Sequence, residues 1–597
     1  MRTRGGSGGV GLVWGGVVVA GLSVGLFTGC GGDGGAGGGG GNGGNGGAGS
    51  APLRQPAWIV DGGDASKGQA SGGGAIHIVS QGATSMGAST LAAPSVPSPP
   101  GDAMAMADAQ LGADVTASGS ITIDGKQTAG GSDQVRQITS SGGDIFVSGE
   151  LHGGDAGGAA RGLTLNAPNG TIYVSGTVDA SGTVAGQSGG PVILAAKRIV
   201  LTGSLSAAGA DGPTGGNAAA VTITATDLVF LGGPVQVRGG NGTTAGGAGG
   251  TLAIDTAGAV QAIGLVDARG GAATGDKAMA GAAGAIHVGE QTPPATVDLS
   301  VQLSARGGAG GGTGGPGGSV VLEPKMGNLI IGVTVDFSGG AGAQPGDGGT
   351  MTGTAGEGVG SSQTDGGDIQ LGSKITGDGG AVSSGGSGNG AVAGTLKLKA
   401  ASYLGALTMS ADGAVSLTGG ASGGAGTADG GGHLFFYTSN GDLTVSGQLT
   451  LKGGDAPDSG GAGGLGGAVD IFSDDNHDGH GGNLLLDTTC VIDASGGAGN
   501  SGSIGGDARH DDTDSVASFP DNQEQIAVLI NCDGKHGNTV NWLLNSGMII
   551  ARGGAPNGNG GDVAYHGIAP DGNVSPPSGN VDTSGSGSGK AGDFRGE

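Results

Sequence analysis

Aromatic residues are nearly missing from this chain: Phe, Tyr and Trp make up 3% of 597 residues, and charged residues only 12%. No ordinary globular domain has that recipe. Basic residues are also few, 23 Lys and Arg against 49 Asp and Glu, for a formal net charge of −26. That balance excludes nucleic acid as a natural partner and favours divalent cations, solubility or repulsion between neighbouring copies. Helical periodicity is all but absent, and only residues 102–111 offer a helix-like stretch, a cap beside the Pro-rich segment 94–100. The chain has no Ser/His/Asp nucleophile signature, no phosphate-binding glycine loop between strand and helix, and no redox motif.

What is abundant is glycine, 151 residues. The absence of a strict three-residue period excludes collagen, and composition alone would suggest low complexity. Periodicity argues otherwise. A unit recurs that reads as a glycine pair, a short alternating strand, a polar break, a second alternating strand, and another glycine pair leading into a glycine-rich stretch. First halves include Gly143-Asp144-Ile145-Phe146-Val147, Gly284-Ala285-Ile286-His287-Val288 and Gly394-Thr395-Leu396-Lys397-Leu398. Second halves include Val178-Asp179-Ala180-Ser181-Gly182, Val266-Asp267-Ala268-Arg269-Gly270, Leu303-Ser304-Ala305-Arg306-Gly307, Val335-Asp336-Phe337-Ser338-Gly339 and Ile492-Asp493-Ala494-Ser495-Gly496. Closing glycines fall at Gly153, Gly182, Gly209, Gly239, Gly270, Gly307, Gly339, Gly379, Gly419, Gly453, Gly496, Gly553 and Gly585.

Alternation with period two places Ile286 and Val288, or Leu396 and Leu398, on one face and His287 or Lys397 on the other. Strands this short cannot enclose a core alone, whereas stacked coils bury continuous aliphatic ladders. The expected fold is therefore all-β, a parallel β-solenoid of right-handed winding with glycine-rich turns and no substantial helical domain. About a dozen coils at about 4.8 Å would give a rod of about 60 Å. Glycine costs about 0.5 to 1 kcal/mol relative to Ala in regular structure, so it must serve either positive-φ corners or close backbone packing in extended, polyproline-II-like segments. The glycine runs resemble in composition the PGRS repeats of mycobacterial PE_PGRS proteins, and no function follows from that likeness.

Arg2 and Arg4 precede an apolar stretch, 10–27, that ends at Leu26-Phe27-Thr28-Gly29-Cys30. This resembles the lipobox of bacterial lipoproteins, with Phe27 in place of the usual Leu. The resemblance implies cleavage before Cys30, lipidation of that cysteine and, with Gly31 following it, an outer-membrane destination on the cell surface or the periplasmic face. The domain plan that follows is a signal peptide at 1–29, a flexible tether at 30–56, an N-terminal coil and cap region at 57–118, solenoid repeats at 119–500, and irregular C-terminal coils with a His/Asp-rich insertion and terminal cap at 501–597. In an oxidising compartment Cys490 and Cys532 are expected to pair, with two free buried thiols as the alternative.

The sharpest local motif is Asp474-Asp475-Asn476-His477-Asp478-Gly479-His480. Its Asp474, Asn476, Asp478 spacing resembles the calcium loops of EF-hand and dockerin type, in which alternate oxygens converge on one hard cation. That likeness makes calcium the candidate cofactor, with His480 lending a backbone carbonyl and Asp487 standing in for the missing glutamate at Leu485; a solvated polar loop between strands is the reading weighed above it. The Asp-Asp pair and Gly-His-Gly also occur in β-helical polygalacturonases, but there on separate coils and with companion motifs this chain lacks. His477, His480, His510, His536 and His566 gather near Asp507, Asp511, Asp512 and Asp514, a weak transition-metal pattern. His77, His287 and His433 are expected on solvated strand faces.

Arg238, Arg269 and Arg306 each precede a closing glycine pair, as do Lys452 and Arg552. In a parallel stack the first three form a cationic row able to grip an anionic glycan through bidentate contacts, unless each pairs with a nearby Asp such as Asp267 or Asp336. The functional expectation is a non-enzymatic cell-envelope lipoprotein: a structural or adhesive surface rod, or an interaction scaffold, whose partners are the membrane through its lipid and polysaccharide or matrix components. The alternative is a carbohydrate-binding or carbohydrate-active β-helix of lyase or hydrolase type. An ice-binding solenoid is disfavoured by the lack of a regular Thr ladder.

Overall fold

The structure is a computed structural model. It describes residues 93–596 apart from 107–108, 131–134, 155–159, 301, 325–326, 357–366, 403, 457–460, 474–481, 501–503, 510–525, 533–542 and 567–579. The described residues belong to one compact unit, 80–597, and contain no α-helix.

Every strand pairing is parallel, and successive coils stack in register. One coil contributes Thr251–Thr256, Ala259–Ala262 and Val266–Asp267; the next contributes Ala285–Val288, Thr296–Leu299 and Leu303–Ser304. Leu252 lies beside Ile286, Val260 beside Val297, and Val266 beside Leu303. Each coil thus has three strands where the repeat suggested two. The first two columns merge into a 26-stranded sheet because Gly162–Val174, Val192–Leu201 and Val221–Leu231 run through the bend without a break. The third column is a 15-stranded sheet, which at about 4.8 Å per coil makes a stack of about 65 Å.

The alternating residues point as expected. Ile286, Val288, Val297, Leu299 and Leu303 are buried, and one continuous aliphatic core runs from Leu111 to Tyr565. Other chemistry joins it near its first and last coils. Near the first coils Arg136 points inward, 1% exposed, with its Nη2 donating to the Gly130 carbonyl at 2.5 Å and its Nη1 to Asp114 at 3.2 Å. At the last coils the Tyr565 and Phe594 rings meet edge to face at 5.5 Å.

From Thr177–Asp179 onward, the chain leaves the core after the third-column strands in glycine hairpins of two extended limbs. Within one hairpin Gly247 N–H donates to the Gly240 carbonyl and Gly250 N–H to that of Val237. The next bonds alternate: Gly271 donates to Gly247 and Gly308 to Gly281 between hairpins, and Gly281 to Gly271 and Gly315 to Gly308 within them, at 2.8 to 3.0 Å. This zigzag continues through Gly340, Gly346, Gly380, Ala391, Gly420, Asp429, Gly454, Gly464, Gly497 and Gly506 to Gly554. The glycine layer is therefore a hydrogen-bonded second body laid along the sheets. Close approach, not left-handed backbone, selects glycine here: a Cβ on Gly315 would lie 1.8 Å from the Gly281 carbonyl oxygen.

The closing glycines from Gly182 to Gly585 form one column, as the registers from Asp179↔Ser206 through Ile550↔Asp582 require. Gly153 falls out of it, since His152 pairs with Asp179 and so sets Gly153 beside Ala180. The helix-like stretch at 102–111 is instead the strands Met104–Met106 and Ala109–Leu111, because Met104 pairs with Ile121 and Ala109 with Gln127 on the next coil. In the C-terminal region Val528–Asn531, Met548–Ile550, Val563–His566 and Val581–Asp582 continue the same columns.

Candidate functional site

Position along the third column is repeated from coil to coil, so a surface column can be read directly. Directly after the inward-facing aliphatic, Asp179, Asp267, Asp336, Asp493 and Asp582 open the glycine hairpins. Each turns its Oδ1 back onto the N–H two residues on, at Ser181, Arg269, Ser338, Ser495 and Ser584, over 2.9 to 3.1 Å. These are Asx turns, which explains the recurring Val-Asp-x-Ser or Val-Asp-x-Arg before glycine. A second set of Asp and Asn stitches coils together: Asp211 accepts the Asn241 N–H, Asn241 that of Ala272, Asp368 that of Ala406, Asp442 that of Asn483, and Asp507 that of Asn559. Much of the acidic excess is therefore structural.

The cationic row exists in register. Gln236 pairs with Asp267 and Asp267 with Ser304, so Arg238, Arg269 and Arg306, two residues further on, stand above one another. Their carbonyls accept the N–H groups of Gly209, Gly239 and Gly270. Their guanidiniums differ. Arg269 is bidentate to Asp267, Nε to Oδ1 at 2.9 Å and Nη2 to Oδ2 at 2.7 Å, and that pairing raises its pKa. Arg238 and Arg306 make no ion pair with a described residue. Further along, Arg552 Nε donates to Asp582 on the next coil at 2.6 Å, and this bond holds the Asp582 carboxyl down to about 2.

Arg238 borders an open groove of about 530 Å³ at the head of this row. Its polar lining includes Thr177, Ser204, Ser206, Gln236, Asp179 and Asp211. Asp179 lies 3.7 Å from His152 Nδ1. The groove offers donors, acceptors and one guanidinium along a repeating surface, a chemistry suited to holding a hydroxyl-rich chain.

Asp474, Asn476, Asp478 and His480, the expected calcium ligands, lie outside the described residues, as do Cys30, His77, His477, His510, His536, Asp511, Asp512 and Asp514. Among the described residues no group of three or more His, Cys, Asp and Glu side chains could hold a metal. Asp487 is already engaged: it accepts Ser446 Oγ at 2.5 Å, Thr489 N–H at 2.7 Å and Thr489 Oγ1 at 2.6 Å. Burial pushes its pKa up, but these bonds together bring it below the ordinary value. Cys490 and Cys532 are both buried and both free thiols. Cys532 Sγ donates to the Gly482 carbonyl, and burial pushes the Cys490 thiol up to about 12.

Of the histidines expected on solvated strand faces, His287 and His433 meet partners. His287 Nδ1 is 2.7 Å from Glu290 Oε2. His433 is not simply solvated: Arg509 Nη2 reaches its Nε2 at 2.7 Å, and both line a second cleft of about 410 Å³. Sequence reasoning missed this cluster, because Arg509 is 76 residues away and only the stacking of coils brings it back.

No protein-family model matches the chain, and no curated protein is found to be similar to it.

Proposed function

We propose that this chain is an exported, lipid-anchored cell-envelope protein whose solenoid serves as a non-enzymatic rod, a structural or adhesive scaffold at the outer membrane. The observation that carries this reading is the uninterrupted stack, whose carboxylates and glycine amides are largely consumed in joining coil to coil. Supporting it are Arg2 and Arg4, the apolar stretch ending at Cys30, and the glycine-rich leash after it. Labelled palmitate fed to cells expressing the full chain should enter the wild type and not Cys30→Ser, which should leave the membrane fraction. Equal labelling of both, or none of either, would remove the anchor. Protease shaving of intact cells with and without calcium then reads surface exposure and any part calcium plays in the 474–480 loop.

The groove beside Arg238 favours a second reading, a carbohydrate-binding or carbohydrate-active β-helix. A glycan array followed by assays for reducing ends and unsaturated products separates the two, and turnover of any polysaccharide would defeat the scaffold. If the arginine row grips an anionic glycan, replacing Arg238, Arg269 and Arg306 together with Met should abolish that binding. Unchanged binding would assign the row to packing alone.

A further inference from the structure

The groove at the head of the arginine row spans three coils, and its limits lie where side-chain pairing takes over. Thr177–Asp179, Ser204–Ser206 and Val235–Gln236 stack in register, so Thr177 lies beside Ser204, and Asp179, Ser206 and Gln236 follow one another. On the coil beyond Gln236 the polar face is spent, because Asp267 is 3% exposed and bidentate to Arg269. On the coil before Thr177, Glu150 is engaged by Lys126 at 3.5 Å and by His152 Nε2 at 3.0 Å. Between these limits the outward groups are open. Gln236 and Arg238 make no side-chain hydrogen bond or ion pair with a described residue. Ala208, in the column of Ser181 and Arg238, contributes only a methyl to the groove.

At about 530 Å³ the groove falls within the range of small-ligand sites, about 300 to 1,000 Å³. None of its lining residues is aromatic and most are polar, so hydrogen bonds rather than ring stacking must carry affinity. Two carboxylates, Asp179 and Asp211, stand against the one guanidinium of Arg238. On a chain of net charge −26 that balance disfavours an anion. Asp179 Oδ1 accepts the Ser181 N–H at 2.9 Å and Asp211 Oδ1 the Asn241 N–H at 2.6 Å. Both carboxylates are thereby fixed in place, and each keeps its Oδ2 to accept a hydroxyl.

We propose, on the carbohydrate-binding reading of this groove, that its ligand is a neutral, extended glycan, a β-1,4-linked pyranoside chain lying along the axis of the stack. The outward polar groups repeat once per coil, about 4.8 Å apart, close to the advance of such a chain per sugar. Successive sugars therefore meet successive coils, and three coils take three units. An α-1,4-linked chain curves and leaves that register. Asp179 and Asp211 accept sugar hydroxyls, and Arg238 and Gln236 donate to hydroxyl and ring oxygens, with the charged members making the stronger bonds. A uronate would meet the two carboxylates at close range.

The test is calorimetric titration of the full chain with cellotriose, maltotriose and trigalacturonate. Cellotriose should bind, with the other two weaker by about tenfold or more. Arg238→Met and Gln236→Ala should each weaken cellotriose by about tenfold or more. Neither side chain holds another part of the described chain, so the fold is kept, which circular dichroism checks. Lys277→Met, at an exposed hairpin residue outside the groove lining, should leave binding unchanged. Trigalacturonate bound more tightly than cellotriose would overturn the neutral ligand while the carbohydrate reading stands. No binding of any of the three overturns it too, and a blank glycan array then removes the carbohydrate reading with it. The proposal also falls if maltotriose binds as tightly as cellotriose, if either folded variant binds cellotriose unchanged, or if Lys277→Met loses as much as they do.

Discussion

At the residue scale the molecule is held by short acids used as backbone acceptors. Asp378 is representative: its Oδ1 takes the Ser416 hydroxyl at 2.7 Å and the Thr418 N–H at 2.8 Å on the next coil. Asp378→Ala leaves a backbone donor unpaired and should cost about 1 to 3 kcal/mol in denaturant unfolding. Asp378→Asn keeps the acceptor oxygen and should retain most of that stability. The same acids set the pH response. Asp582, held at about 2 by Arg552, contributes stability above its ordinary pKa near 4 that is lost as pH falls towards 2. Asp470 works in the opposite sense: raised to about 7 by burial, it favours the folded state at low pH, and that contribution fades as pH rises from about 4 through 7. Unfolding midpoints of Asp470→Asn should therefore fall less than the wild type across that window. An equal fall in both would contradict the assignment. The residue-scale roles were only half legible. The Val-Asp-x-Ser pattern was visible, but an Asx turn needs the backbone to be seen turning. Nothing in the sequence around Asp442 reveals that its partner is Asn483.

At the scale of elements, the aliphatic alternation of Ile286 and Val288 or Leu396 and Leu398 was legible because one buried face enforces period two. The middle strand of each coil was not separated from the third, since only Ser300 marks a break after Thr296–Leu299 and only Gly332 one after Leu329–Ile331. Glycine posed two options, corners or close packing, and contact distances decide between them. Gly315→Ala places a methyl against the Gly281 carbonyl, breaking the spacing of the zigzag. It should lower the melting temperature, against the gain of about 0.4 to 1 kcal/mol expected for Gly→Ala where the backbone is compatible and space is free. A raised melting temperature would show that the limbs are loosely packed. Phe337 depends on the same economy of space: its ring fills the room left where Gly377 and Gly394 have no side chain, so Gly377→Val should unseat it.

At the scale of the whole molecule, a nearly aromatic-free chain becomes rigid by repetition. Each coil buries only a few aliphatics, but the ladder is continuous and the glycine layer adds a second set of hydrogen bonds parallel to it. The column of closing glycines from Gly182 to Gly585 could be read from the motif that recurs before each of them, although the coils differ in length. The His433 and Arg509 cleft could not, because an insertion of arbitrary length separates its parts. Amide hydrogen exchange across the glycine hairpins tests the central claim most directly. The account predicts that peptides covering 237–250, 268–284 and 305–318 are protected to the same degree as the strands Ala285–Val288 and Ser319–Leu322. Exchange of those hairpins at the rate of an unstructured chain, with the strands alone protected, would contradict it.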